Sequence, residues 1–419
     1  MNICIQCTKY NIFSKIKVLF IVILHKTITK YNISVLLVNK NVIIYTYCFL
    51  DLLYKYNVYL LTKIDIFGHY IIFRGAFVYN CNYGYSPNYI PPNNYASNPL
   101  LVEKQKTQKV GNAIGITLSV LIVSSSIFGI IAGAILAMMG QAAGNATLFV
   151  NDGNILYVLS AFISVIIMTI PFIVCVKLLK MDVGSTVSTA RVKMGVLVPI
   201  VLIGFGFNAI GNFLNNIFSY TLSGFGIAPS MPNIEYGGGL TGFAIAMLCI
   251  AVFPALVEEF AFRGVILGAL NKRFNSKVAI IVSAIIFGLV HGNLVQIPFA
   301  FLMGLVFGYM AVYTKSIWPS VIAHFLNNGV SVILDFTATD SAPLIQNVIW
   351  CTYGVVCCSL ALIGLIMINK RDENILKFDS DKSDTVSTVQ RVRWLVTSPF
   401  MVVFGVLIGI EIVASQLFY

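Results

Sequence analysis

Glu258 and Glu259 stand side by side, and Phe262 and Arg263 complete the run EEFAFR. Phe287 and His291 frame FGLVH, and His324 and Asn328 frame HFLNN. All of these residues sit in otherwise apolar stretches. The chain has only four histidines, and two of them fall in these runs, as does its only adjacent pair of glutamates. An ionisable group inside lipid is costly unless it is paired or faces a cavity. Several such groups on neighbouring helices imply a shared polar cavity.

Two chemistries suit this set. Glu258, His291 and His324 could hold a zinc ion, as in hydrolytic His/His/Glu sites. HExxH is absent, so the ligands would have to come from three helices. Alternatively, Glu258 and His291 activate a water while His324 and Asn328 donate to a developing oxyanion. Both routes end in amide hydrolysis. The GxSxG of serine enzymes and the GxGD of aspartyl intramembrane enzymes are absent.

Spacing divides the roles. Residues four apart share a helix face, so Glu259 pairs with Arg263, and Glu258 shares its face with Phe262. Glu259 and Arg263 then neutralise each other and support the site, with Phe262 and Phe287 as packing residues. Glu258 is left free to act as the base. Depth agrees across the helices. Glu258 and His291 lie about 20 Å from their nearest basic loops, His324 about 12 Å and Asn328 about 18 Å.

The elements that carry these groups are membrane helices. The hydrophobic fraction is 58%, the charged fraction 10% and the mean hydropathy +0.87, whereas soluble domains carry roughly 25% charge. The fold class is all-α, a polytopic helical bundle with about eight or nine transmembrane helices around a polar cavity. The spans read 112–138, 155–178, 195–221, 239–269, 277–292, 294–314, 317–335, 345–369 and 398–418. Basic residues fall before 112, in 177–193, in 271–277, at Lys315 and in 370–394. The alternate loops 140–154, 222–238 and 336–344 have no Lys or Arg. The positive-inside rule then puts the N-terminus in the cytoplasm and the chain in the plasma membrane as a multi-pass protein. The net charge of +11 is spent on orientation, so the partners are the bilayer and a peptide or membrane-protein substrate, with no nucleic acid.

Domain organisation follows composition. Residues 1–77 lack Glu, Pro and Trp and look like an AT-rich upstream region translated in frame, with the start near Val78. The mass of the natural N-terminus decides that. Residues 78–111 read as a Tyr/Asn/Pro-rich disordered cytoplasmic tail. The core spans 112–369, with the motif region at 240–335. A cytoplasmic loop follows over 370–397 and a further span over 398–419. Small residues at Gly129/Gly133 and Gly304/Gly308 have the spacing of closely packed membrane helices. The nine cysteines show no metal-ligand spacing. Glu411, in the last span, has no evident partner.

EExxxR, FxxxH and HxxxN, in this order and on successive helices, resemble the CAAX prenyl protease type II and bacteriocin-processing (CPBP, Abi) family of intramembrane endopeptidases. The resemblance covers about 240–335. It implies an eight-helix core and a cytoplasm-facing cavity. It also implies that Glu258 and His291 activate water and that His324 and Asn328 stabilise the oxyanion. Members have been described both as metalloproteases and as metal-independent glutamate proteases. The expectation here is no cofactor, because Asn328 is a poor zinc ligand, with zinc on Glu258, His291 and His324 as the alternative. The function expected is endopeptidase cleavage of a membrane-associated substrate, in bacteriocin immunity or peptide maturation. A non-catalytic immunity or scaffold protein is the second reading. A transporter is the third, but no internal repeat supports it.

Overall fold

Ten helices cover nearly all described residues of the computed structural model. Those residues are 99–142, 153–182, 184, 188–227, 239–338, 342–369 and 386–418. They are α1 (Pro99–Ala142), α2 (Gly153–Leu178), α3 (Met194–Gly224), α4 (Gly239–Asn271), α5 (Ser276–Val290), α6 (Gln296–Thr314), α7 (Trp318–Ala338), α8 (Pro343–Asn369), α9 (Thr388–Val396) and α10 (Pro399–Phe418). A helix satisfies its backbone internally, which lipid demands. The expectations for residues 1–77 and for most of the tail lie outside the described residues.

Seven helices, all but α5, α7 and α9, contain a stretch long and apolar enough to cross a membrane. The two that fall short among the nine expected spans are α5, with 15 residues, and α7, which is interrupted by His324, Asn327, Asn328 and Asp335. Helix α5 is apolar but short, and α7 is long enough but carries the HFLNN residues.

Two boundaries differ from expectation. Helix α1 begins at Pro99, so 99–111 is helical rather than a disordered tail. Proline suits a first helical position, and the Leu, Glu, Lys and Gln residues that follow are good helix formers. Glu103 in this extension meets Arg273 at 3.5 Å. The stretch 370–397, expected as a loop, contains α9. Ser387 caps α9 by accepting from the Gln390 amide at 3.3 Å. Arg391 of α9 is buried and donates from Nη1 to the Arg273 carbonyl at 2.6 Å. At the α6–α7 turn, Ile317 donates to the Ser188 carbonyl at 2.9 Å. These contacts join the basic loops to one another in the order that alternating helices require.

Helices α5 and α6 form an antiparallel pair held at glycines. A Cβ on Gly304 would lie 2.9 Å from the Ala284 Cα, and one on Gly308 would lie 3.2 Å from Ile280. The expected close packing therefore holds at Gly304 and Gly308. It does not hold at Gly129, where an added Cβ meets nothing within 4 Å among the described residues. Beside the pair, Ile200 and Val201 of α3, Met303, Phe307 and Met310 of α6, and Ala323 of α7 form a core cluster.

Gly304→Leu is expected to destabilise the protein in detergent by about 1–3 kcal/mol, the usual cost of overpacking. Gly129→Leu is expected to stay within about 0.5 kcal/mol of the parent. Thermal denaturation of the two variants checks the pair.

Candidate active site

Helix α4 is not a uniform α-helix. It passes through π-helical turns at Met247–Val252 and Glu259–Ile266. Such turns free backbone groups and often mark functional sites. Pro254 lies between them and has no N–H, so the Ile250 carbonyl, four residues earlier, loses its ordinary helical donor. Asn328 of α7 supplies one instead, with Nδ2 2.9 Å from the Ile250 oxygen. The break in α4 is thus sealed by a side chain of the site.

Glu259 is fully buried and Arg263 is 4% exposed. They form the expected pair, with Arg263 Nη1 2.8 Å from Glu259 Oε1. The guanidinium also lies 4.3 Å from the Phe287 ring centre and 5.1 Å from that of Phe307, where aromatic faces attract a cation. The same Glu259 oxygen takes a second partner that spacing did not reveal, His324 Nδ1 at 2.9 Å. Glu259 therefore positions a histidine as well as an arginine. Phe307 stacks on the His324 ring at 5.2 Å.

Glu258, His291, His324 and Asn328 line one cavity of about 230 Å³, together with Asn327, Phe287, Ile250, Pro254 and four residues of α6. Glu258 keeps 21% of its side chain exposed, and its Oε2 lies 3.9 Å from His324 Nε2. That gap is too long for a direct hydrogen bond and suits a bridging water. His291 caps α5, is exposed, and places Nδ1 2.9 Å from the Phe287 carbonyl oxygen. A carbonyl only accepts, so Nδ1 carries the proton and Nε2 of the neutral ring has a free lone pair. Phe262 and Phe287 pack edge to face at 4.9 Å, and Phe287 meets the His291 ring at 4.9 Å.

Three features escaped the sequence reading. Asn327 lines the cavity and donates from Nδ2 to Asn328 Oδ1 at 2.8 Å. Pro254 was the second, and a proline inside a long apolar run was its signal. The third concerns Glu411, whose carboxylate lies against Gly292, just beyond His291. A Cβ on Gly292, which has φ +64°, would meet the Glu411 Cδ at 3.1 Å, so glycine fits both the backbone and the close approach. Among the described residues no group of three or more His, Cys, Asp or Glu is gathered closely enough to hold a metal ion.

Glu259→Ala is expected to destabilise the fold by about 3–5 kcal/mol, because it leaves Arg263 buried without a counter-charge. Adding Arg263→Ala recovers only part of this loss, since His324 stays without its acceptor. Thermal midpoints of the single and double variants in detergent measure both effects. Full recovery would show that the His324 contact adds nothing.

Residues 240–330 match the family model for type II CAAX prenyl endopeptidases, Rce1-like. A putative membrane peptidase of Bacillus subtilis (strain 168), YdiL, is 29% identical over 133 residues, which are 30% of this chain and 54% of that protein. The membrane-embedded CAAX protease MroQ of Staphylococcus aureus (strain USA300) is 32% identical over 117 residues, 25% of this chain and 47% of the relative. The chain thus spans about half the length of the curated relatives it matches. No solved structure gives a significant match. The matched residues 240–330 hold every motif residue of the site, so the chain is similar to Rce1-like type II CAAX prenyl endopeptidases where those residues stand.

Proposed function

We propose that the chain is an intramembrane endopeptidase that hydrolyses a peptide bond of a membrane-associated protein or peptide. The observation that carries this reading is the cavity, where Glu258, His291, His324 and Asn328 converge from three stretches of chain. A water held by Glu258 and by His291 Nε2 attacks the scissile carbonyl carbon. Its proton passes to this pair and then to the amide nitrogen as the C–N bond breaks. Asn328 spends one N–H on Ile250 and has a second for the oxyanion. With Nδ1 donating to Glu259, His324 can donate from Nε2 to the oxyanion only when both ring nitrogens carry a proton.

Orientation enters the same reading. The lining runs from Glu258 back to Ile250 on α4 and from His324 on to Asn328 on α7. Both directions lead away from the basic loops. With those loops cytoplasmic and the protein in the plasma membrane, the cavity extends toward the outer face rather than toward the cytoplasm, which runs against what the family resemblance implies. Phe299→Cys, at the first turn of α6, is expected to react with a membrane-impermeant maleimide added outside intact cells. Reaction only in inverted vesicles would reverse the orientation.

Glu258→Gln is expected to cut peptide cleavage by about 10²–10⁴-fold, the usual worth of a general base, with an unchanged thermal midpoint. The wild-type protein is expected to keep its activity after exhaustive chelation. If Glu258→Gln sustains the cellular phenotype, the protein acts as a non-catalytic scaffold. If zinc alone restores chelated protein, the metal-free scheme fails.

A further inference from the structure

We propose that Asn327 is a substrate-anchoring residue, whose side-chain carbonyl accepts a backbone N–H of the peptide in the cavity. The inference rests on the endopeptidase reading and adds a contact outside the EExxxR, FxxxH and HxxxN motifs.

The orientation of its amide follows step by step from Pro254. Without a proline N–H, the Ile250 carbonyl needs another donor, and Asn328 Nδ2 fills that place at 2.9 Å. Asn328 must then turn Oδ1 the other way, where it accepts from Asn327 Nδ2 at 2.8 Å. A flipped Asn327 would set two carbonyl oxygens against each other. Asn327 Oδ1 is therefore fixed as an acceptor. It is buried and has no hydrogen-bond partner among the described residues, in a residue that is 8% exposed and lines the cavity.

A buried carbonyl without a donor is uncommon in native proteins, and each case calls for an explanation. A peptide supplies the missing group, since every residue but proline offers one N–H. Glu258 and the free nitrogen of His291 on this cavity are also acceptors, while His324 and Asn328 face the oxyanion. One acceptor set apart from the pair that holds the water can fix the register of the chain being cut. Its preset direction means that little ordering is needed when the peptide arrives.

The test uses full-length protein carrying Glu258→Gln, so that binding is read without turnover. The probe is a fluorescent peptide ending in a farnesylated CaaX sequence, made also as a series in which one amide at a time becomes an ester. An ester keeps the shape and removes the N–H. One ester position is expected to weaken binding by about fivefold to tenfold, the worth of one neutral hydrogen bond. Adding Asn327→Leu is expected to weaken binding of the all-amide peptide by a similar factor and to abolish sensitivity to that ester. Asn327→Ala provides the same comparison if the leucine variant does not fold. The coupling is a ratio within each protein, so a loss of stability alone does not produce it.

Equal ester penalties with and without Asn327, no ester penalty at all, or no binding of the probe would overturn the anchor. Coupling without any cleavage of the all-amide peptide by wild-type protein would instead keep the anchor and sink the peptidase reading.

Discussion

One carboxylate oxygen, Glu259 Oε1, holds the site together. It accepts from Arg263 on its own helix and from His324 on α7. Both contacts are buried, so neither is weakened by competing water, and the loss of Arg263 would leave the carboxylate without its counter-charge in a low-dielectric interior. The arginine in turn is clasped by Phe287 and Phe307. Four helices, α4 to α7, therefore refer their positions to one ion pair. Glu258, next in sequence to this anchor, keeps its partial exposure and its freedom from any short ion pair.

The hydrophobic packing serves the same end. Phe307 belongs both to the apolar cluster of α3, α6 and α7 and to the stack on His324. Gly304 and Gly308 bring α5 against α6 closely enough to fix where Phe287 and His291 stand. The reactive groups thus sit on regular elements whose side chains are locked by neighbours, which is what precise geometry at a site requires.

Much of this was legible in the residues themselves. Charged and imidazole groups in apolar runs are rare enough to stand out, and i,i+4 spacing identified the Glu259–Arg263 pair without coordinates. Loop charges ordered the helices, and the structure joins those same loops through Glu103, Arg273, Arg391 and Ser188. What stayed hidden was relational. Periodicity cannot report a contact between helices, so the bond from His324 to Glu259 was invisible. It cannot separate a π turn from an α turn, because both keep a stripe of apolar residues. Gly129 and Gly304 have the same local spacing, yet among the described residues only Gly304 meets another helix. The short helix Thr388–Val396 escaped notice because it is too polar to read as a span.

The bond from Asn328 to Ile250 has an evolutionary consequence. Pro254 creates the vacancy that the asparagine fills, so the merit of each residue depends on the other. If an ordinary residue replaced the proline, α4 would close its own ladder and the asparagine amide would lose its acceptor. If leucine replaced the asparagine while the proline stayed, the Ile250 carbonyl would lose this donor in the cavity wall. Positions 254 and 328 are therefore coupled through this contact, although they lie 74 positions apart in the sequence. Lineages that drift at one are expected to have drifted at the other.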